Sequence, residues 1–232
     1  MSVPTPLAPG LTATEAPPED DDAILAFINR IQPHIPWTRE HFDWQYRRSP
    51  AGPARLYVVR DGPRVVSFYA AVAQRLRHKD EVLTARHVQD VMTAPDYRGR
   101  GLLHHLAHLC GEGMRRRGES GYTFPNESSE KSFRRTGWTE WGPVPLLTRE
   151  VTAADAAPTP ILSLVPHFDS DAGAAWSESG LAVGVHRETD YLEWRYTKPG
   201  QRYERYTVDG RAGYAVLKHY ANEKGRFTHV CD

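Results

Sequence analysis

Apolar residues change their spacing in blocks along this chain, and each change marks an element. Residues 1–18 are rich in Pro, Thr and Ala with almost no bulky apolar side chains. Such a stretch buries too little surface to offset its ordering entropy, so residues 1–19 are expected to form a disordered tail. Asp20, Asp21 and Asp22 then precede Ile24, Leu25, Ile28 and Ile31, an acidic start followed by helical spacing. Thr38 is placed to cap a second helix, which carries Phe42, Trp44 and Tyr46 as packing aromatics and ends at Ser49 and Pro50. Residues 55–60 and 64–74, rich in Val, Tyr and Phe, flank Asp61 and Gly62, which predicts an antiparallel hairpin. A further strand is expected over residues 82–93. After it, Leu102, Leu103, Leu106, Cys110 and Met114 share one helix face. A short strand over 122–125, a short helix over 127–136 and a strand over 138–149, broken at Gly142 and Pro143, complete an α/β domain expected to span residues 20–150. Residues 151–160, rich in Ala, Thr and Pro, read as a linker.

Composition narrows the functional classes. The chain has 232 residues, of which 40% are hydrophobic and 25% charged, an ordinary globular balance. Lys plus Arg and Asp plus Glu both number 29, so no global field draws nucleic acid or an anionic membrane, and attraction to anions must be local. Arg115, Arg116 and Arg117 sit at the negative end of their helix and read as a solvated terminus before a nucleic-acid patch. Two cysteines, Cys110 and Cys231, make neither a disulfide framework nor a metal site, and a reducing cytoplasm fits them. His104 and His108 stand at i,i+4, but no nearby carboxylate or cysteine completes a set, so no metal is expected. No run approaches membrane-spanning length, and the N-terminus lacks the basic and apolar regions of a signal peptide, so a soluble, unprocessed protein is expected.

The local anion site is the stretch from Asp90 to Leu103. Gly99 and Gly101 allow the backbone amides to close on a phosphate, the helix from Leu102 aims its positive end there, and Arg98 and Arg100 add charge. A dinucleotide fingerprint is excluded because His104 stands where its third glycine would be. Arg-Gly-Arg-Gly after a strand resembles the acetyl-CoA loop of the GNAT acyltransferases, with Leu103 at the position of the pattern's small residue. Asn126, Ser129, Phe133, Gly137 and Trp138 fall at the spacing of that family's asparagine-led helix. The resemblance implies a mixed, mainly antiparallel sheet with flanking helices and acetyl-CoA as co-substrate. It implies that acetyl-CoA is bound through Val91, Met92, Thr93, Arg98, Gly99, Arg100, Gly101, Leu102, Leu103, Asn126, Ser129 and Phe133. It also implies that backbone amides at Val91 and Thr93 hold the thioester carbonyl, and that Phe133 occupies the place where relatives often carry a tyrosine acid.

Beyond the linker, landmarks recur in order. Phe42 to Tyr46 is echoed by Leu192 to Tyr196, Asp61-Gly62 by Asp209-Gly210, and His87 to Asp90 by His229 to Asp232. This resembles a GNAT family built of two halves, and a partial second GNAT-like half is expected over residues 161–232. It stops where its phosphate loop would begin, so only the first half is expected to bind acyl-CoA, an abruptness that fits a chain continuing past Asp232.

Acyl transfer to an amine needs a base, because an alkylamine of pKa near 10 is only about one part in a thousand neutral at pH 7. His87, on the strand before the loop, is the first candidate. Strict alternation places Gln89 and Val91 on its face and Asp90 on the other, whereas a bulge would turn Asp90 inward and make it the second candidate. The expected activity is transfer of an acetyl group to a primary amine of a small molecule, such as an amino sugar or amino acid. The alternative is a non-catalytic acyl-CoA-binding or interaction module. No nucleic-acid or membrane partner is expected, and a homodimer is left open.

Overall fold

The computed structural model describes residues 4–145, 147–152, 162–208 and 213–232. The chain divides into two compact units, Met1–Thr139 with Ala182–His186, and Glu140–Leu181 with Arg187–Asp232. The division falls earlier than the expected end at residue 150, and a short segment from beyond the linker joins the first unit.

The first unit is built on a sheet of β1 (Leu11–Ala16), β2 (Arg55–Asp61), β3 (Arg64–His78), β4 (Glu81–Thr93) and β5 (Ser120–Tyr122), in that order, with β7 (Val183–Val185) added to β3. All pairings are antiparallel except β4 with β5. Two helices, α1 (Asp21–Ile31) and α2 (Arg39–Tyr46), bring Ile24, Phe27, Ile28, Phe42 and Tyr46 against Leu56, Val58, Phe68, Ala70 and Val72. On the opposite cluster, α3 (Leu102–Arg116) and α4 (Glu127–Arg135) bring Leu102, Leu106, Cys110, Met114 and Phe133 against Tyr57, Val59, Tyr69, Ala71 and Val88. Alternate residues of β3 therefore face different helix pairs, which is why Val65 to Ala73 reads as an apolar run broken only by Ser67. Thr38 caps α2 by accepting from the His41 amide at 3.1 Å.

Two expectations are corrected. Residues 11–16, placed in a disordered tail, form β1 paired along β2 from Leu11↔Asp61 to Ala16↔Leu56. An edge strand takes its hydrogen bonds from its neighbour, so Leu11 and Ala13 packing on the α3 side suffice where local composition alone would not. Residues 138–149 form no strand among the described residues. Gly142 sits at φ 140° and Pro143 lacks a donor, while Trp141 (96%), Val144 (73%) and Leu147 (88%) are exposed, so neither ladder nor buried face forms.

The second unit contains β6 (Leu162–Val165), α5 (Ser170–Glu178), α6 (Thr189–Arg195), β8 (Glu204–Val208), β9 (Tyr214–Asn222) and β10 (Gly225–Val230). Its antiparallel sheet has the order β10-β9-β8-β6. Phe168, Ala172, Leu192, Tyr196 and Val216 form its core. Strand, two helices and three strands, in the sheet order first, second, third, fourth, is also the arrangement of β1 to β4 with α1 and α2. The echoed segment at Trp194 lies on α6 as Trp44 lies on α2; Asp209 and Gly210 fall outside the described residues.

Candidate active site

The site is organised by the point at which β4 and β5 part. They pair in parallel only through Ala85↔Ser120, Arg86↔Gly121 and His87↔Tyr122. After that the Thr123 hydroxyl donates to the Val88 carbonyl at 2.9 Å, while β4 runs on to Thr93. Glu119, just before β5, accepts from Arg55 and Arg86 at 2.9 Å each. Burial alone would raise its carboxyl pKa, but the hydrogen bonds and charges of the two guanidiniums outweigh this and hold it down at about 2. This cluster ties β5 to β4 and β2 on the near side of the parting.

His87 lies at the last pair before the gap. Its ring stacks on Tyr122 with centroids 4.8 Å apart and planes 1° from parallel, and Phe124 meets it edge-on at 5.6 Å. Its cross-strand partner Val72 belongs to the cluster under α1 and α2, so His87 faces that side. The bulge follows immediately. Ala70 pairs with Gln89 and Phe68 with Met92, leaving Tyr69 opposite both Asp90 and Val91. Asp90 takes φ 53°, and its carboxylate accepts from the buried Tyr46 hydroxyl at 2.9 Å. Burial first, and Asp90 second, raise the Tyr46 pKa well above the ordinary phenol range, so Tyr46 is the donor. The bulge thus turns Asp90 to the side of His87 and Gln89, while Val91 packs on the α3 side, the reverse of strict alternation.

The loop into α3 is braced from within. The Ser67 hydroxyl donates to the Met92 carbonyl at 3.1 Å and lies 2.9 Å from the Thr93 hydroxyl. Arg98 donates to the Thr93 carbonyl at 3.4 Å and Arg100 to that of Asp96 at 2.8 Å. Arg100 also lies over the Tyr97 ring at 4.8 Å, whose hydroxyl donates to Asp61 at 2.6 Å. Gly99 at φ 75° and Gly101 at φ 72° are both left-handed, a conformation costing other residues about 1–2 kcal/mol. A Cβ on either would meet nothing within 4 Å, so backbone conformation, rather than crowding by the protein, requires glycine. Gly101 caps α3 without a side-chain bond, and the first amide to bond back is that of His104, to the Gly101 carbonyl at 2.9 Å. The amides of Leu102 and Leu103 stand at the positive end of a 15-residue helix, with two guanidiniums alongside. Such a donor set fits a diphosphate. Leu102 is buried and Leu103 packs against the core, while Arg98, Gly99, Arg100 and Gly101 are exposed.

The remaining expected contacts have local roles. Asn126 caps α4, its side chain accepting from the Ser129 amide at 3.0 Å while the Ser129 hydroxyl accepts from the Asn126 amide at 3.1 Å. Phe133 is buried between Tyr69 and Trp138, at centroid distances of 6.5 and 5.6 Å. Its ring is part of the core cluster packed under α3 and α4. Among the described residues no group of three or more His, Cys, Asp or Glu is placed to hold a metal. Sequence reasoning missed Glu119, Tyr122 and Phe124, and took Tyr46 first as packing, with a lesser place for it or Trp44 in the acceptor pocket. A signal for Tyr46 existed: the echoed pair, Tyr196 and Asp232, is also bonded, at 3.1 Å.

The acetyltransferase (GNAT) domain, as a family sequence model, matches residues 19–140, more than half of the chain and all of the site just described. The chain belongs to the GNAT family. Among solved structures, a GCN5-related N-acetyltransferase from Anabaena variabilis ATCC 29413 is similar with a TM-score of 0.69 at 13% identity, over 96% of this chain and 58% of the other. A conserved protein from Enterococcus faecalis V583, described as a probable N-acyltransferase, gives 0.66 at 13% identity, over 92% and 56%. These likenesses bear on the fold, and the present GNAT chain spans a little over half the length of either protein. No curated protein matches the sequence. No helix among the described residues is long and apolar enough to cross a membrane.

Proposed function

We propose that this GNAT protein is an N-acetyltransferase that moves the acetyl group of acetyl-CoA to a primary amine of a small molecule, such as an amino sugar or amino acid, in the cytoplasm. The observation that carries the reading is the left-handed Gly99 and Gly101 turn delivering α3's open amides beside the parting of β4 and β5. Gly99, Arg100, Gly101, Leu102 and Leu103 hold the diphosphate, with Arg98 bracing the turn. The edge of β4 from Val91 through Met92 to Thr93 offers amides to the thioester carbonyl, and Asn126 and Ser129 shape the far wall. His87 takes a proton from the amine as its nitrogen bonds to the carbonyl carbon and the carbon–sulfur bond breaks. The proton passes to solvent. The leaving thiolate, of pKa about 8.5, takes its proton from water, which is chemically tolerable without a dedicated acid.

A second reading, a GNAT module that binds acyl-CoA without turnover, is favoured by the burial of Phe133 where an acid would be placed. Release of free thiol from acetyl-CoA, followed across a panel of small amines, separates the two. Amine-dependent release at a rate well above that of acetyl-CoA alone supports the enzyme; binding without release across the panel supports the module.

A further inference from the structure

Asp90 lies beside His87 in the site, and its carboxylate invites the role of base. The structure assigns it a different one: Asp90 and Tyr46 form a latch that fixes the bulge of β4, and with it the amides entering the glycine loop, so Asp90 is a positioning residue. The inference rests on the acyl-transfer reading of the same site.

Three observations carry it. First, Asp90 and Lys79 are the only described non-glycine residues at positive φ. Lys79 occupies the β3–β4 turn, where such geometry is ordinary, whereas Asp90 is inside a strand. A left-handed residue there costs about 1–2 kcal/mol and persists only when its surroundings hold it. Second, the holder is rigid. Tyr46 is fully buried, with Phe42 edge-on at 5.0 Å, Phe68 at 5.9 Å and Trp37 at 5.6 Å. Its hydroxyl is thereby fixed, 2.9 Å from Asp90 Oδ2.

Third, the second unit carries the same pair in the same places. Tyr196, just past α6, donates to Asp232 Oδ2 at 3.1 Å, after the last strand of its sheet, as Tyr46 at the end of α2 donates into β4. There Arg187 Nε also donates to Asp232 Oδ2, at 2.7 Å, so that carboxylate is committed to structure. The tyrosine–aspartate bond recurs in both units, which marks it as a device of this strand arrangement.

The test compares Tyr46→Phe, Asp90→Ala and Asp90→Asn with wild type. Asparagine tolerates the left-handed region and offers an amide oxygen to the same phenol, but it cannot accept a proton as a base. Asp90→Asn should keep kcat within about threefold, while Tyr46→Phe and Asp90→Ala lower it about tenfold or more, with acetyl-CoA affinity by calorimetry within about twofold in all three. Asp90→Asn as inactive as Asp90→Ala, or Tyr46→Phe turning over as wild type does, overturns the latch. Amide hydrogen exchange reads the latch without turnover. Residues 89–93 should exchange about tenfold faster in Tyr46→Phe and Asp90→Ala than in wild type and Asp90→Asn. Equal exchange in all four also overturns it. A wild-type protein that releases no thiol with any amine refutes the acyl-transfer reading instead, and exchange still decides the latch.

Discussion

Glu119→Ala removes the carboxylate that binds Arg55 and Arg86, whose side chains are only 15% and 8% exposed. Two routes give the size of the effect. The fall of the Glu119 carboxyl from an ordinary 4.5 to about 2 corresponds to about 2–3 kcal/mol once partial screening by solvent is allowed for. Removing one partner of a buried ion pair costs about 3–5 kcal/mol, because the remaining charge stays desolvated. Glu15, 3.9 Å from Arg55, offsets part of that. The expected loss is about 2–4 kcal/mol, a fall in the melting temperature of the first unit of about 5–15 °C at neutral pH. The sign with pH follows from the depressed value. The stabilisation is fully present above about pH 4.5, where the unfolded carboxyl is ionised, and is lost as pH falls toward about 2. Thermal unfolding of both proteins followed by circular dichroism should show the gap shrinking to about half or less by about pH 3. A shift of under about 2 °C at neutral pH, or a gap that stays constant down to about pH 3, would refute the reasoning.

His87→Ala should lower acyl transfer about a hundredfold or more while acetyl-CoA affinity stays nearly unchanged, checked by thiol release and calorimetry. With His87 as base its neutral form is the active one, so wild-type transfer should rise with pH and then level off, an ascent absent from the variant. Phe133→Tyr should give no gain in rate and should lower the melting temperature, because the added hydroxyl enters the packing between Tyr69 and Trp138; a faster enzyme would contradict the burial argument.

The glycine loop, α3 and the helices were legible because each rests on local spacing and capping chemistry. Thr38 and Asn126 cap the helices whose starts their residue types announce. Other features required partners far away in sequence. The ordering of residues 11–16 depends on β2, and the cluster at Glu119 joins positions 55, 86 and 119. The facing of Asp90 depends on one extra residue in β4 opposite Tyr69, which alternation along a single strand does not reveal. Val183–Val185 joining β3 was equally hidden, since its three residues carry no strong strand pattern. Residues 138–149 misled in the opposite sense: their apolar residues resemble a strand, yet Gly142 and Pro143 stop a ladder from forming.

Acetyl-CoA binding to wild type and to Gly101→Glu, measured by calorimetry with melting temperatures as a check on folding, addresses the central claim most directly. Position 101 is left-handed and faces open space at the head of α3, so glutamate there disfavours the turn and sets a negative charge where the diphosphate would lie. One acetyl-CoA per wild-type chain, with affinity reduced about tenfold or more in a folded variant, is the predicted result. Equal affinity in the two proteins would contradict it.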